Sequence, residues 1–329
     1  MRASPRFGLA LALVLVAGVA SGLAVAAQGS AVNGASAVAT RAITSPPPDS
    51  SDPVATPGPS SEPTPALPSG QPASTGSQAP SSVPGPTPLP PSATDRGPVT
   101  RTVPVLMYHL IGDPPVGEPY PALYVSVADF TAQMRGLHDA GWRTITAGEL
   151  GAAMAADRPV PARSIVVTFD DGNADGYTTA FPILQRYGFR ATFFMIAAGG
   201  GSRMTADELA TMVAAGMEIG NHTLDHRNVS RLSIGGLDQQ VAGAELRIEQ
   251  ELAALGVTVR VRTFCYPSGH DSPSAAAYLA GRGYTAAFTT VDGVVRIGQT
   301  NPLFAPRLRV SRFTTLSAFL AMLPIEPVP

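Results

Sequence analysis

Cysteine is nearly absent from this 329-residue chain. The one that occurs, Cys265, cannot form an intrachain disulfide, so the fold must rest on packing. Lysine is missing altogether, and all 22 basic residues are arginines with no basic block. With a formal net charge of −2, that scatter argues against a nucleic-acid partner. Tryptophan occurs once, at Trp142, which is expected in the core on a short strand. Only five histidines exist, so a pair of them close together carries information.

What is present divides into three parts. From Met1 to about Ala27 two arginines precede an uncharged apolar run that starts at Phe7 and ends in Ala24-Val25-Ala26-Ala27. This reads as a secretory signal with an A-x-A cleavage site. The run 7–27 is also long enough to cross a bilayer, so an uncleaved membrane anchor is the alternative. Either way the rest of the chain is expected outside the cytoplasm, secreted or held at the cell envelope. Of the 33 prolines, 17 fall between residues 41 and 100. Residues 28–100 cannot bury enough apolar surface to offset chain entropy and are expected to form a disordered, extended linker. Residues 101–329 suffice for one single-core domain, expected to be monomeric.

In that domain short apolar runs alternate with helix-period segments. Strands are expected at Val103 to Tyr108, Trp142 to Thr144, Ser164 to Phe169, Ala191 to Ile196, Met217 to Gly220, Thr263 to Tyr266 and Thr285 to Thr289. Ser126 can cap a helix running to about Ala140, and Thr205 to Glu208 matches a capping box. A longer helix is expected from Ile234 to Leu255, stopped by Gly256. Repeated βα units imply a parallel sheet with helices outside, and about seven strands can close into a barrel. His109, Asp170, Asp171, His222 and the Tyr266 segment then all lie at the C-terminal ends of strands, where barrels carry their chemistry.

Two strings carry that chemistry. Thr168-Phe169-Asp170-Asp171-Gly172 sets adjacent carboxylates at the end of an apolar strand, and both can reach one site only if the chain turns at Gly172. Asn221-His222-Thr223-Leu224-Asp225-His226 offers imidazoles at i and i+4, which share a face of a helical turn. Together they supply one Asp and two His for a divalent metal, with a second carboxylate left as a base. A cation would also let both carboxylates stay ionised. Asp225 or a backbone carbonyl is expected to orient one ring.

Taken with Pro104 to His109 and Gly188 to Phe194, these strings resemble the polysaccharide deacetylases, the NodB-like group or carbohydrate esterase family 4. The resemblance spans most of 101–329 and implies a distorted (β/α) barrel. It makes Asp170 the general base and Asp171, His222 and His226 the metal ligands. The metal is expected to be zinc, with cobalt or nickel as alternatives. The implied substrate is a carbohydrate polymer bearing N-acetyl groups, peptidoglycan or an exopolysaccharide. A backbone N–H from Phe264 to Gly269, the loop of Tyr266 and Ser268, is expected at the oxyanion.

Two departures stand out. The family's commonest form has arginine at position 265 and tyrosine at 268, and that arginine helps hold the base. Arg307 or Arg309 is the candidate replacement from another strand. The usual late Leu-x-His is missing too, so the early Met-Tyr-His makes His109 the candidate acid, as in a subgroup that includes the poly-N-acetylglucosamine deacetylases, with His270 as runner-up. Tyr120, Tyr124 and Tyr266 are expected to line a groove. An O-acetyl esterase acting on xylan-like glycans and a non-catalytic glycan-binding barrel are the competing readings.

Overall fold

The computed structural model describes residues 97–199 and 202–324. The expected signal or anchor at 1–27 and linker residues 28–96 lie outside the described residues. Among the described residues no helix is long and apolar enough to cross a membrane.

Seven parallel strands close into a barrel: β1 Val105–Tyr108, β2 Ser164–Phe169, β3 Thr192–Met195, β4 Glu218–Asn221, β5 Thr263–Cys265, β6 Ala286–Asp292 and β7 Ala305–Arg309. Each pairs with the next, and β7 returns to β1 through Leu308 opposite Leu106. The order around the barrel is therefore the order along the chain, the simplest outcome of consecutive right-handed βα units. The expected strand near Trp142 is an outlying piece, Arg143–Thr144, paired with the start of β2. Trp142 precedes it and is only half-buried, packed on the edge of the core rather than inside it. Val99–Thr100, just ahead of the expected boundary at 101, pairs antiparallel with Val160–Pro161.

Alternation along the strands sorts the side chains. In β2, Ile165, Val167 and Phe169 face outward and share a cluster with Phe130, Met134 and Leu137 of the helix Val127–Asp139. Tyr108, Phe169 and Phe193 stack across neighbouring strands there. Ser164, Val166, Thr168 and then Asp170 take the opposite face, as successive residues in a strand must. The same parity turns Phe194, Cys265 and Phe288 inward. Continued upward, it aims His109, Asp170, His222, Thr290 and Arg309 at the barrel mouth.

The helices surround this wall. Ser126 accepts from the Asp129 N–H, and Thr205 with Glu208 forms the expected capping box. The long helix is continuous from Ile234 to Ala254 but carries a π-bulge at Asp238–Ala242, which the apolar spacing did not signal.

Candidate active site

Asp170 follows β2, and its carboxylate is held from below by Arg307 of β7. Nη1 donates to Oδ1 at 2.8 Å and Nη2 to Oδ2 at 2.7 Å, a bidentate pair. The other three donors reach the Thr289 carbonyl, Thr168 Oγ1 and Cys265 Sγ at 2.9, 3.0 and 3.1 Å. All five N–H groups of a guanidinium with no solvent exposure are thus satisfied. Burial works against an ionised Asp170, but Arg307 overcomes it and holds the carboxyl well below the usual carboxylate range. Of the two candidate arginines it is Arg307 that meets Asp170. Arg309, two residues on and facing the same way, reaches only the exposed rim.

Asp171 breaks the strand alternation. Its φ is +72°, a conformation that costs a residue with a Cβ, and Gly172 follows at +74°. This pair of left-handed residues swings the Asp171 carboxylate away from Asp170. Arg203 donates to the Asp171 carbonyl and so helps hold the turn; nothing in the sequence marked it. A Cβ at Gly172 would lie 2.5 Å from Met195 Cε. Gly172→Ala is therefore expected to cost about 1–3 kcal/mol in denaturant unfolding, and to weaken cation binding through the displaced Asp171.

The two histidines meet Asp171 by a route the sequence did not foretell. Residues 222–226 form no helical turn; they are an irregular loop in which Thr223 and His226 have φ of +71° and +65°. A network under the loop supports these conformations. Asn221 Oδ1 accepts from the Thr223 N–H at 2.7 Å, and Thr223 Oγ1 accepts from the His226 N–H at 2.9 Å. Asn221 Nδ2 in turn donates to Tyr284 Oη at 2.7 Å. The imidazoles end edge-to-face with centroids 4.9 Å apart. His222 Nε2 lies 3.5 Å and His226 Nε2 3.6 Å from the same Asp171 Oδ1.

The chemistry of these donors decides what fits between them. His222 Nδ1 is 2.7 Å from the Cys265 carbonyl, which can only accept, so Nδ1 carries the proton. It is this carbonyl, not Asp225, that orients the ring; Asp225 pairs with Arg227. In the neutral ring the Nε2 lone pair of His222 then faces a carboxylate oxygen, two acceptors directed at one another with a third in His226, unless a proton or a cation stands between them. Such a convergence calls for a cation. Burial disfavours a charged His222, yet Cys265 and the Asp171 carboxylate push its pKa well above the ordinary imidazole value. For His226, burial and then His222 push it down. A second convergence, Asp170 with His222 and Cys265, holds its positive charge already in Arg307 and is no cation site.

A cavity of about 440 Å³ opens above these groups at the barrel mouth. His109 lines it, with Nε2 3.8 Å from Asp170 Oδ2 and a buried Nδ1 that has no partner among the described residues. Burial lowers the His109 pKa despite Asp170 and Asp171. His270 is exposed and outside the lining. Tyr120 and Ser268 line the cavity, whereas Tyr124 does not and donates its hydroxyl to Glu118. Tyr266 borders the cavity floor, but its hydroxyl donates to the Leu303 carbonyl and its N–H to Phe288 in β6. Neither group is free to meet a ligand. The N–H of Ser268 has no acceptor among the described residues, and its φ of +53° is again left-handed.

Comparison with known proteins decides the family. Over 220 residues the chain is 31% identical to YxkH of Bacillus subtilis, a protein assigned by name to the polysaccharide deacetylases, covering 66% of this chain and 74% of that one. Residues 157–287 match the polysaccharide deacetylase family model. The chain belongs to the polysaccharide deacetylase family.

The deacetylase shares its fold with PplD of Streptococcus pyogenes, a deacetylase solved with acetate. The TM-score is 0.62 at 24% identity, over 68% of this chain and 99% of that one. It is also 24% identical to the poly-beta-1,6-N-acetyl-D-glucosamine N-deacetylase of Escherichia coli K12, over 57% of this chain and 34% of that enzyme. The deacetylase thus spans about a third of that relative's length. The segment matched by the family model, residues 157–287, contains Asp170, Asp171, His222, His226 and Cys265, but neither His109 nor Arg307.

Proposed function

We propose that this polysaccharide deacetylase is an exported, cation-dependent enzyme that removes N-acetyl groups from a glycan containing N-acetylglucosamine. The observation that carries this reading is the meeting of Asp171 Oδ1, His222 Nε2 and His226 Nε2 beside an Asp170 clamped by Arg307. Those three side chains would hold a divalent cation, zinc on the donor set with cobalt or nickel as alternatives. Once bound, the cation supplies Lewis acidity to an acetyl carbonyl and lowers the pKa of a water.

This chain's own residues do the rest. Asp170, kept ionised and in one orientation by Arg307, takes the proton of the attacking water. The Ser268 N–H donates to the carbonyl oxygen as negative charge builds there. His109 passes a proton to the leaving amine; Asp170 Oδ2, 3.8 Å from its Nε2, is a source for that proton. Burial keeps His109 neutral at neutral pH, ready to accept it. The missing arginine at position 265 kept a binding barrel without catalysis open as a reading; the contact of Arg307 with Asp170 supports the enzyme instead. A leader at 1–27 and a spacer over 28–100 would place the domain of 101–329 outside the cytoplasm. The substrate for which the Escherichia coli relative is named supports a glucosamine polymer.

The test is acetate release from poly-N-acetylglucosamine, chitin oligomers, peptidoglycan and acetylxylan, with zinc or cobalt supplied. Release from the first three, abolished by a chelator and restored by the cation, is the expected result. Release from acetylxylan alone would transfer the enzyme to O-acetyl esters.

A further inference from the structure

We propose that Arg309 is a specificity residue that selects a glycan carrying a carboxylate beside the reacting N-acetyl group, an inference that rests on the reading of the cavity as the glycan site. Arg309 ends β7 and shares the inward parity of Arg307, so the strand aims it into the barrel mouth. It lines the cavity, is exposed, and has no hydrogen bond or ion pair among the described residues. Among the described residues Arg158, Arg186, Arg231 and Arg296 are also exposed without an ion pair, but none of them lines the cavity as Arg309 does.

The charges around it explain the selection. Both carboxylates that line the cavity are committed, Asp170 to Arg307 and Asp171 to the two imidazoles that face it. Among the described residues no other acidic side chain lines the cavity; Glu118 accepts from the Tyr124 hydroxyl. A cation between Asp171 and the histidines would add further positive charge. Arg309 is thus an uncompensated guanidinium on the wall of a cavity whose rim also carries Tyr120, 68% exposed, with a ring face to stack on a sugar. A guanidinium is built to take a carboxylate by two parallel hydrogen bonds. A lactyl ether or a uronic acid on the sugar would present that group; a neutral polymer of N-acetylglucosamine would leave Arg309 solvated.

The test uses the full chain loaded with zinc and three oligosaccharides of equal length. One is a neutral chitin oligomer, one alternates N-acetylglucosamine with N-acetylmuramic acid, and one is that second strand with its carboxylates amidated. Acetate release gives kcat/KM, and calorimetry with Asp170→Asn gives affinity without turnover. The acid strand is expected to exceed its amide by about tenfold, the scale of one charge-assisted hydrogen-bond pair, and the preference is expected to shrink with added salt. In Arg309→Gln the ratio falls to near one, while Arg309→Lys keeps part of it. Equal values for acid and amide in the unsubstituted chain, or a ratio that survives Arg309→Gln, overturn the proposal. If no strand yields acetate, the catalytic reading fails, and the calorimetric ratio still decides on Arg309.

Discussion

Arg307→Met is expected to lower stability by about 3–5 kcal/mol, the cost of stranding one partner of a buried ion pair. In a domain of this size that amounts to a fall in Tm on the order of 10 °C. The loss arises because the methionine would leave the Asp170 carboxylate, with 3% of its side chain exposed, without its counter-charge. It would also strand the Thr289 carbonyl and remove one of the two partners of the Thr168 hydroxyl, which still donates to the Leu106 carbonyl. Arg307→Lys should rescue little, since an ammonium has three donors and no fork. The pH dependence has a definite sign. Asp170 is held below its unfolded value, so its contribution is complete above the ordinary carboxylate range and fades as pH falls from about 4 toward the depressed value. The gap in Tm between the native chain and Arg307→Met should therefore narrow in acid. A gap that is small at neutral pH, or that widens on acidification, would contradict the assignment. Cys265→Arg, which restores the family's usual residue, should destabilise the chain while Arg307 is present. Position 265 has no exposure and the carboxylate it would address is already doubly bound.

Asp170→Asn is expected to reduce kcat for acetate release by about 10²–10⁴ and to leave zinc affinity within a few-fold. The amide cannot take the water's proton, yet it contributes no atom to the convergence of Asp171, His222 and His226. Equilibrium dialysis against zinc at low temperature separates the two readouts, since the unpaired Arg307 will also lower the melting point. His222→Ala should behave oppositely and lose the cation itself. Native turnover in Asp170→Asn would remove that carboxylate as the base.

The barrel was legible because short apolar runs and helix-period segments alternate along the chain, and because parallel strands buried on both faces read as unbroken runs such as Ile165-Val166-Val167. The site was legible as a set of residues but not as a geometry. Convergence of His222 and His226 was expected from a helical turn; the structure achieves it with left-handed backbone at Thr223 and His226, which neither residue type advertises. The same holds for Asp171, where the expected turn at Gly172 begins one residue early. Arg307 and Arg309 could not be told apart because residues two apart on a strand share a face; depth in the barrel, which depends on the shear of the closed sheet, separates them. The Asn221–Tyr284 contact joins residues 63 apart in sequence, and no local pattern encodes it.

The clamp on Asp170 has an implication for biogenesis. Asp170 belongs to the second stave of the cylinder and Arg307 to the last, 137 positions later. A nascent polypeptide emerging from its N-terminus therefore carries Asp170 unclamped until nearly the whole domain has been delivered. A chain truncated or clipped ahead of residue 305 would keep every signature by which its kin are recognised and still be inert. Competence arrives only when the ring shuts.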